Sequence, residues 1–161
     1  MRKIEYLVKT IAEKFNLISA AAVVMIMLVI VLDITMRVFR ISLPGSYDMV
    51  SLLSTIVIAF SLTYTTVMNG HIAVDLVYQK IPEKIHPYID LFNETAGSLF
   101  FAALSWQSFL YAASLMAAGE VSLTIKIPTY PFVAGIGLSS FLLSLYLFIN
   151  AIKASRRIIK R

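Results

Sequence analysis

Phe15-Asn16-Leu17-Ile18-Ser19-Ala20-Ala21-Ala22-Val23-Val24-Met25-Ile26-Met27-Leu28-Val29-Ile30-Val31-Leu32 runs for 18 residues without a charge and stops at Asp33. An α-helix rises ~1.5 Å per residue and a bilayer's hydrocarbon core is ~30 Å thick, so about 20 apolar residues cross it. The run reaches across only if the helix continues towards Arg37. Three further uncharged stretches lie downstream, Met49–Gly70, Thr95–Gly119 and Ile127–Ile152, of 22, 25 and 26 residues. Each is long enough to span by itself. The pattern predicts an all-α integral membrane protein with four transmembrane helices.

Composition supports the same solvent. Of the 161 residues 59% are hydrophobic, where a soluble domain carries ~45–50%. The net charge of +5 does not point to nucleic acid, because the cations gather at the two ends and no basic face interleaves with aromatics. The absence of Cys excludes disulfides, thiolate metal ligands and thiol catalysis. A cleaved signal peptide is a weaker reading of the N-terminus: the first apolar run is long for one and ends in Asp33 and Arg37 rather than at small residues.

The Lys and Arg distribution sets an expected orientation. Residues 1–14 hold Arg2, Lys3, Lys9 and Lys14, the middle loop 71–94 holds Lys80 and Lys84, and the tail holds Lys153, Arg156, Arg157, Lys160 and Arg161. These eleven oppose three, Arg37, Arg40 and Lys126. Basic residues resist translocation, so both termini and the middle loop are expected in the cytoplasm and the short loops 37–48 and 120–126 outside.

Ile4, Leu7, Val8, Ile11 and Phe15 recur at helical spacing among charges. They predict an amphipathic helix over 1–15, lying in the membrane interface before the first span. The expected organisation is one membrane domain: the interfacial helix 1–15, spans at 16–37, 48–70, 88–118 and 129–152, a cytoplasmic interfacial segment at 71–87, and a basic tail at 153–161. The third span is long enough for Asp90, Asn93 and Glu94 to stand at the membrane surface.

Ionisable groups inside lipid are costly and usually functional. Asp33 and Arg37, four residues apart, form a pair near the end of the first span. His71 with Asp75 and His86 with Asp90 share that spacing, but each pair lies where polar residues are expected, and no metal site is assigned. No nucleophile–base–acid set is present and none of the six Gly forms a phosphate-binding loop, so neither catalytic residues nor ATP use are assigned. Small and hydroxyl residues mark packing seams: Ser51, Ser54, Ser61 and Thr65 on the second span, Ser98, Ala102, Ser105, Gln107 and Ala112 on the third, Gly135, Ser139, Ser140 and Ser144 on the fourth. Ser46 is a candidate cap for the second helix, and Pro128 and Pro131 fit a helix start.

Several of these residues stand in an order that resembles a known family. Asp33-x3-Arg37 closes the first span, and Leu43-Pro44-Gly45-Ser46 with Asp48 opens the second. His71-Ile72-Ala73-Val74-Asp75 follows it, and Thr124-x3-Pro128 precedes the fourth. Along nearly its whole length the chain resembles the small membrane subunit, DctQ type, of tripartite ATP-independent periplasmic (TRAP) transporters. It departs at Asp48, where the family more often has Glu, and at Tyr130, where Trp is common. The resemblance implies a bacterial inner-membrane scaffold for a large M-type membrane subunit that moves an organic acid with sodium, and a surface for a periplasmic P-type substrate-binding protein. It implies no cofactor in this chain, with sodium held by the large subunit, and membrane lipid as the other contact. It also implies structural or docking roles for Asp33, Arg37, Pro44, Gly45, Asp48, His71, Asp75, Thr124 and Pro128. The competing reading is a self-sufficient four-helix carrier acting as a homodimer, which needs a carboxylate near the middle of a span; the central parts of all four spans lack one.

Overall fold

The computed structural model describes residues 2–41, 43–68 and 86–159. Four helices account for most of them: α1 (Arg2–Val38), α2 (Ser46–Val67), α3 (His86–Ala118) and α4 (Tyr130–Ile159). All four are long and apolar enough to cross a membrane. The expected segment 71–87 lies outside the described residues except for its end at the start of α3.

Helix α1 differs from the expected interfacial helix followed by a separate span. It is one unbroken helix of 37 residues. No Gly or Pro occurs between Arg2 and Val38, so nothing in the chain interrupts the hydrogen-bond ladder at residue 15. Its buried positions recur every three or four residues from Val8 and Ala12 through Phe15, Ser19, Ala22 and Val29 to Asp33. A seven-residue repeat of this kind keeps a single stripe facing one neighbour along the whole helix. The apolar spacing seen in residues 1–15 is thus the first part of a packing seam. At its start Val8 and Ala12 pack with Val67 of α2 and Tyr146 of α4, and Phe15 stacks on Phe60 with ring centroids 4.2 Å apart. Residues 153–159, read as a tail, continue α4.

The helices pack in the order α1–α2–α4–α3. Helix α4 is the most buried of the four. Towards α3 it turns Gly137 and Ser144. Ser144 Oγ donates to the Ser98 carbonyl at 3.0 Å while Ser98 Oγ donates to the Ser144 carbonyl at 3.2 Å. About two turns further along, Ser105 Oγ donates to the Gly137 carbonyl at 2.9 Å. A Cβ on Gly137 would stand 3.2 Å from the Phe109 ring, so the absent side chain sets how closely α3 approaches. Towards α2 it turns Ser139 and Tyr146. The Thr63 and Ser139 hydroxyls are 2.6 Å apart, Ser139 Oγ donates to the Ala59 carbonyl, and Tyr146 OH donates to the Val67 carbonyl at 3.1 Å. Lipid supplies no hydrophobic drive between helices, so close approach through small residues and these hydroxyl–carbonyl bonds hold the row together.

The seams on α3 and α4 correspond to this packing at Ser98, Ser105, Ala112, Ser139, Ser140 and Ser144. Ala102 and Gln107 are exposed. On α2 the seam is corrected: Ser51 and Thr65 are exposed, while Thr63 and Thr66 are buried. Thr55 and Thr65 donate to the carbonyls four residues earlier, at 3.1 and 2.9 Å. A helical hydroxyl satisfied by its own backbone marks no interface.

Candidate functional site

Most of the sequence-predicted residues meet at one end of the molecule, where the α1–α2 and α3–α4 loops lie side by side. Helix α1 ends with Arg40 in the left-handed region, φ 60°, and the Ile41 amide returning to the Met36 carbonyl at 3.1 Å. Asp33, one turn inside that end, is buried. Its Oδ2 accepts from Arg37 Nε at 2.9 Å and forms an ion pair with Arg37 Nη2 at 2.9 Å, while its Oδ1 accepts from the Leu43 amide at 3.3 Å. The carboxylate therefore does two things. It neutralises Arg37, whose side chain is 65% exposed, and it anchors the loop leading to Pro44 and Gly45.

Gly45, not Ser46, is the N-cap of α2. It adopts φ 85°, and α2 has no side-chain cap hydrogen bond. Left-handed backbone favours Gly because a Cβ collides with the following carbonyl. There is a second requirement at this residue, since a Cβ here would run into the Ile125 side chain of the other loop. The Ser46 amide instead closes a turn onto the Leu43 carbonyl at 3.4 Å.

Asp48, in the first turn of α2, reaches across to the second loop. Its Oδ2 accepts from the Thr124 amide at 2.7 Å and the Ile125 amide at 3.4 Å. That loop starts where Gly119, φ 64°, ends α3 with the Glu120 amide bonded to the Leu115 carbonyl at 3.1 Å. It then folds into a short hairpin with a bridge between Val121 and Pro128 and the Ser122 amide bonded to the Ile127 carbonyl at 2.8 Å. Lys126 turns it at φ 54°. Pro128 thus belongs to the hairpin rather than to a helix start. Helix α4 begins at Tyr130, with Pro131 in its first turn.

Two aspartates therefore act as clips. Asp33 holds the first loop to α1, Asp48 holds the second loop to α2, and Gly45 and Ile125 bring the loops into contact. Each carboxylate accepts backbone N–H groups that would otherwise lack a partner, which is the stronger kind of hydrogen bond because the acceptor carries charge. Around the clips the surface is apolar and open: Phe39, Ile41, Tyr47 and Leu123 are exposed, Leu123 to 96%. Arg37, Arg40 and Lys126 stand among them, all exposed. The arrangement can immobilise loops and offer a mixed apolar and cationic face to a partner.

His71 and Asp75 lie outside the described residues. Sequence reasoning missed the role of Ile125, which the left-handed Gly45 would have signalled only with the second loop in view, and placed the cap one residue late.

A family model described as "Tripartite ATP-independent periplasmic transporters, DctQ component" matches residues 26–157. No curated protein and no solved structure matches the chain.

Proposed function

The chain belongs to the DctQ component family of tripartite ATP-independent periplasmic transporters, and from that premise we propose that it is the fixed scaffold beside a large sodium-driven membrane subunit that imports an organic acid. The family is one of transporter components and not of enzymes, and four apolar helices make this a multi-pass membrane protein. In this reading the chain lies in a bacterial inner membrane with both termini cytoplasmic, as the eleven-to-three distribution of Lys and Arg favours. The clipped loop end then faces the periplasm, where a substrate-loaded binding protein docks.

The observation that carries the proposal is the pair of aspartate clips. A subunit against which another moves has to hold its shape, and here both loops at one end are tied to helix ends by carboxylate–amide bonds. The interlocked hydroxyls of α2, α4 and α3 supply the same rigidity within the spans. Exposed Phe39, Tyr47 and Leu123 at the clipped end support docking rather than solvent exposure alone.

The test is co-purification in mild detergent of the tagged chain from its native host. A stoichiometric large membrane protein supports the scaffold reading. A homodimer with no other protein overturns it in favour of a self-sufficient carrier.

A further inference from the structure

On one face of the helix row a groove runs between α2 and α3, floored by α4. One part, about 290 Å³, is walled by Ile58, Leu62, Phe101, Leu104, Ile136 and Leu143. Leu62 and Phe101 also border the next part, about 260 Å³, which continues past Thr66 to Asn93 and Glu94. The groove is thus apolar along most of its length and polar at one end. That end lies near the start of α3, and α3 is 33 residues long. A helix of that length spans about 50 Å against a core of ~30 Å, so its first turns stand at the level of lipid headgroups.

Glu94 gives the polar end its chemistry. Its Oε2 is buried and accepts no hydrogen bond. A buried acceptor without a donor is costly, and a carboxylate oxygen more so than a neutral one. The charges that act on it are mixed, Asp90 from its own helix and Lys153 from α4, with Asn150 beside them. The end therefore has no single sign. It suits a zwitterion that brings an N–H donor.

The walls say what kind of body fills the apolar part. Transmembrane helices pack closely through small residues. The small residues of this region, Ser98, Ser105, Gly137, Ser139 and Ser144, are already spent inside the α3–α4 and α2–α4 contacts. The floor also shows Thr63 and Ser139 to the groove, but their hydroxyls are bonded to each other and to the α2 backbone, and the rims of Ile58, Leu62, Phe101 and Leu104 are bulky, a bed for a flexible chain.

We propose that this groove holds a phospholipid with a primary-amine headgroup, phosphatidylethanolamine by chemistry, its acyl chain between α2 and α3 and its ammonium donating to Glu94 Oε2. A choline headgroup has no N–H to donate, and an anionic glycerol headgroup brings no cation.

The experiment titrates the delipidated full chain in detergent with dioleoyl phosphatidylethanolamine, phosphatidylcholine and phosphatidylglycerol, and counts bound lipids by native mass spectrometry. Phosphatidylethanolamine is expected to bind at least tenfold more tightly than either of the others, the scale of one charge-assisted hydrogen bond. Glu94→Gln removes that preference. Leu62→Trp fills the groove from its lipid-facing wall and weakens all three lipids, and Leu104→Trp does so from the far end should the first variant fail to fold. Equal binding of the three lipids overturns the proposal, as does a preference that survives Glu94→Gln. So does exclusion of lipid when the chain is purified with another membrane protein whose helix cross-links to Leu62. None of these outcomes bears on whether the chain is a scaffold, which the co-purification decides separately.

Discussion

The Ile125 side chain occupies the space into which a Cβ on Gly45 would project, so the two loops at one end of the molecule are in register through a missing methyl group. Gly45 is fixed twice, by this contact and by its φ of 85°. Gly45→Ala is expected to destabilise the protein by more than the roughly 1–2 kcal/mol that left-handed backbone alone costs an alanine. Adding Ile125→Ala relieves the collision but leaves the backbone cost, so the double variant recovers only part of the loss. Thermal unfolding in detergent reads both; a fully additive pair would show that the contact is unimportant.

Asp48 holds the second loop through two amides on one oxygen. Asp48→Ala leaves those N–H groups without their carboxylate acceptor and is expected to lower the melting temperature in detergent. Asp48→Asn keeps one acceptor oxygen without the charge and falls between. Faster backbone hydrogen exchange at residues 123–126, with α1 unaffected, identifies the clip as the cause. Uniform protection across the chain in Asp48→Ala would refute it.

Arg37 is expected to behave differently from its partner. Its guanidinium is mostly in solvent, and an exposed pair contributes only about 0–1 kcal/mol. Arg37→Ala should therefore leave the melting temperature nearly unchanged while lowering recovery of the large subunit in co-purification. If recovery and uptake are both intact, Arg37 has no docking role.

Between α3 and α4 the Ser98 and Ser144 hydroxyls each donate to the other's carbonyl. Single replacement by Ala is expected to cost about 0.6 kcal/mol, the average for such bonds in membrane helices. Ser139→Leu, at a site only 2% exposed, overpacks the α2–α4 contact and should cost about 1–3 kcal/mol. Unfolding in detergent by a denaturing surfactant ranks the three variants.

Deleting residues 1–14 removes Val8 and Ala12 from their contact with Val67 and Tyr146. The expected result is lower stability at that end of the row and loss of transport with the large subunit still present in the membrane. Unchanged uptake would show that the start of α1 is dispensable.

How much of this was legible beforehand differs by element. The four spans follow from length alone, since nothing but a bilayer accommodates apolar runs of 18–26 residues so placed. The pairing of Asp33 with Arg37 follows from helical spacing. Neighbour order does not, because every face of a helix in lipid is apolar and periodicity no longer separates inside from outside. Hydroxyls mislead in the same way: Thr63 bonds another helix while Thr65, two residues on, bonds its own. The spacing in residues 1–15 was visible, but both an interfacial helix and a packing seam produce it, and only the position of Val67 and Tyr146 distinguishes them. The Gly45 cap was hidden because its reason lies 80 residues away, in Ile125.

The packing order of the helices has one further consequence. A row has two ends, and among the described residues they are α1, which packs on α2 with a smaller contact to α4, and α3, which packs chiefly on α4. Such a palisade does not close upon itself, so it can be prolonged at either end by helices from elsewhere without rearranging its own planks. A protein built this way widens whatever it joins, and does so by abutment rather than by insertion.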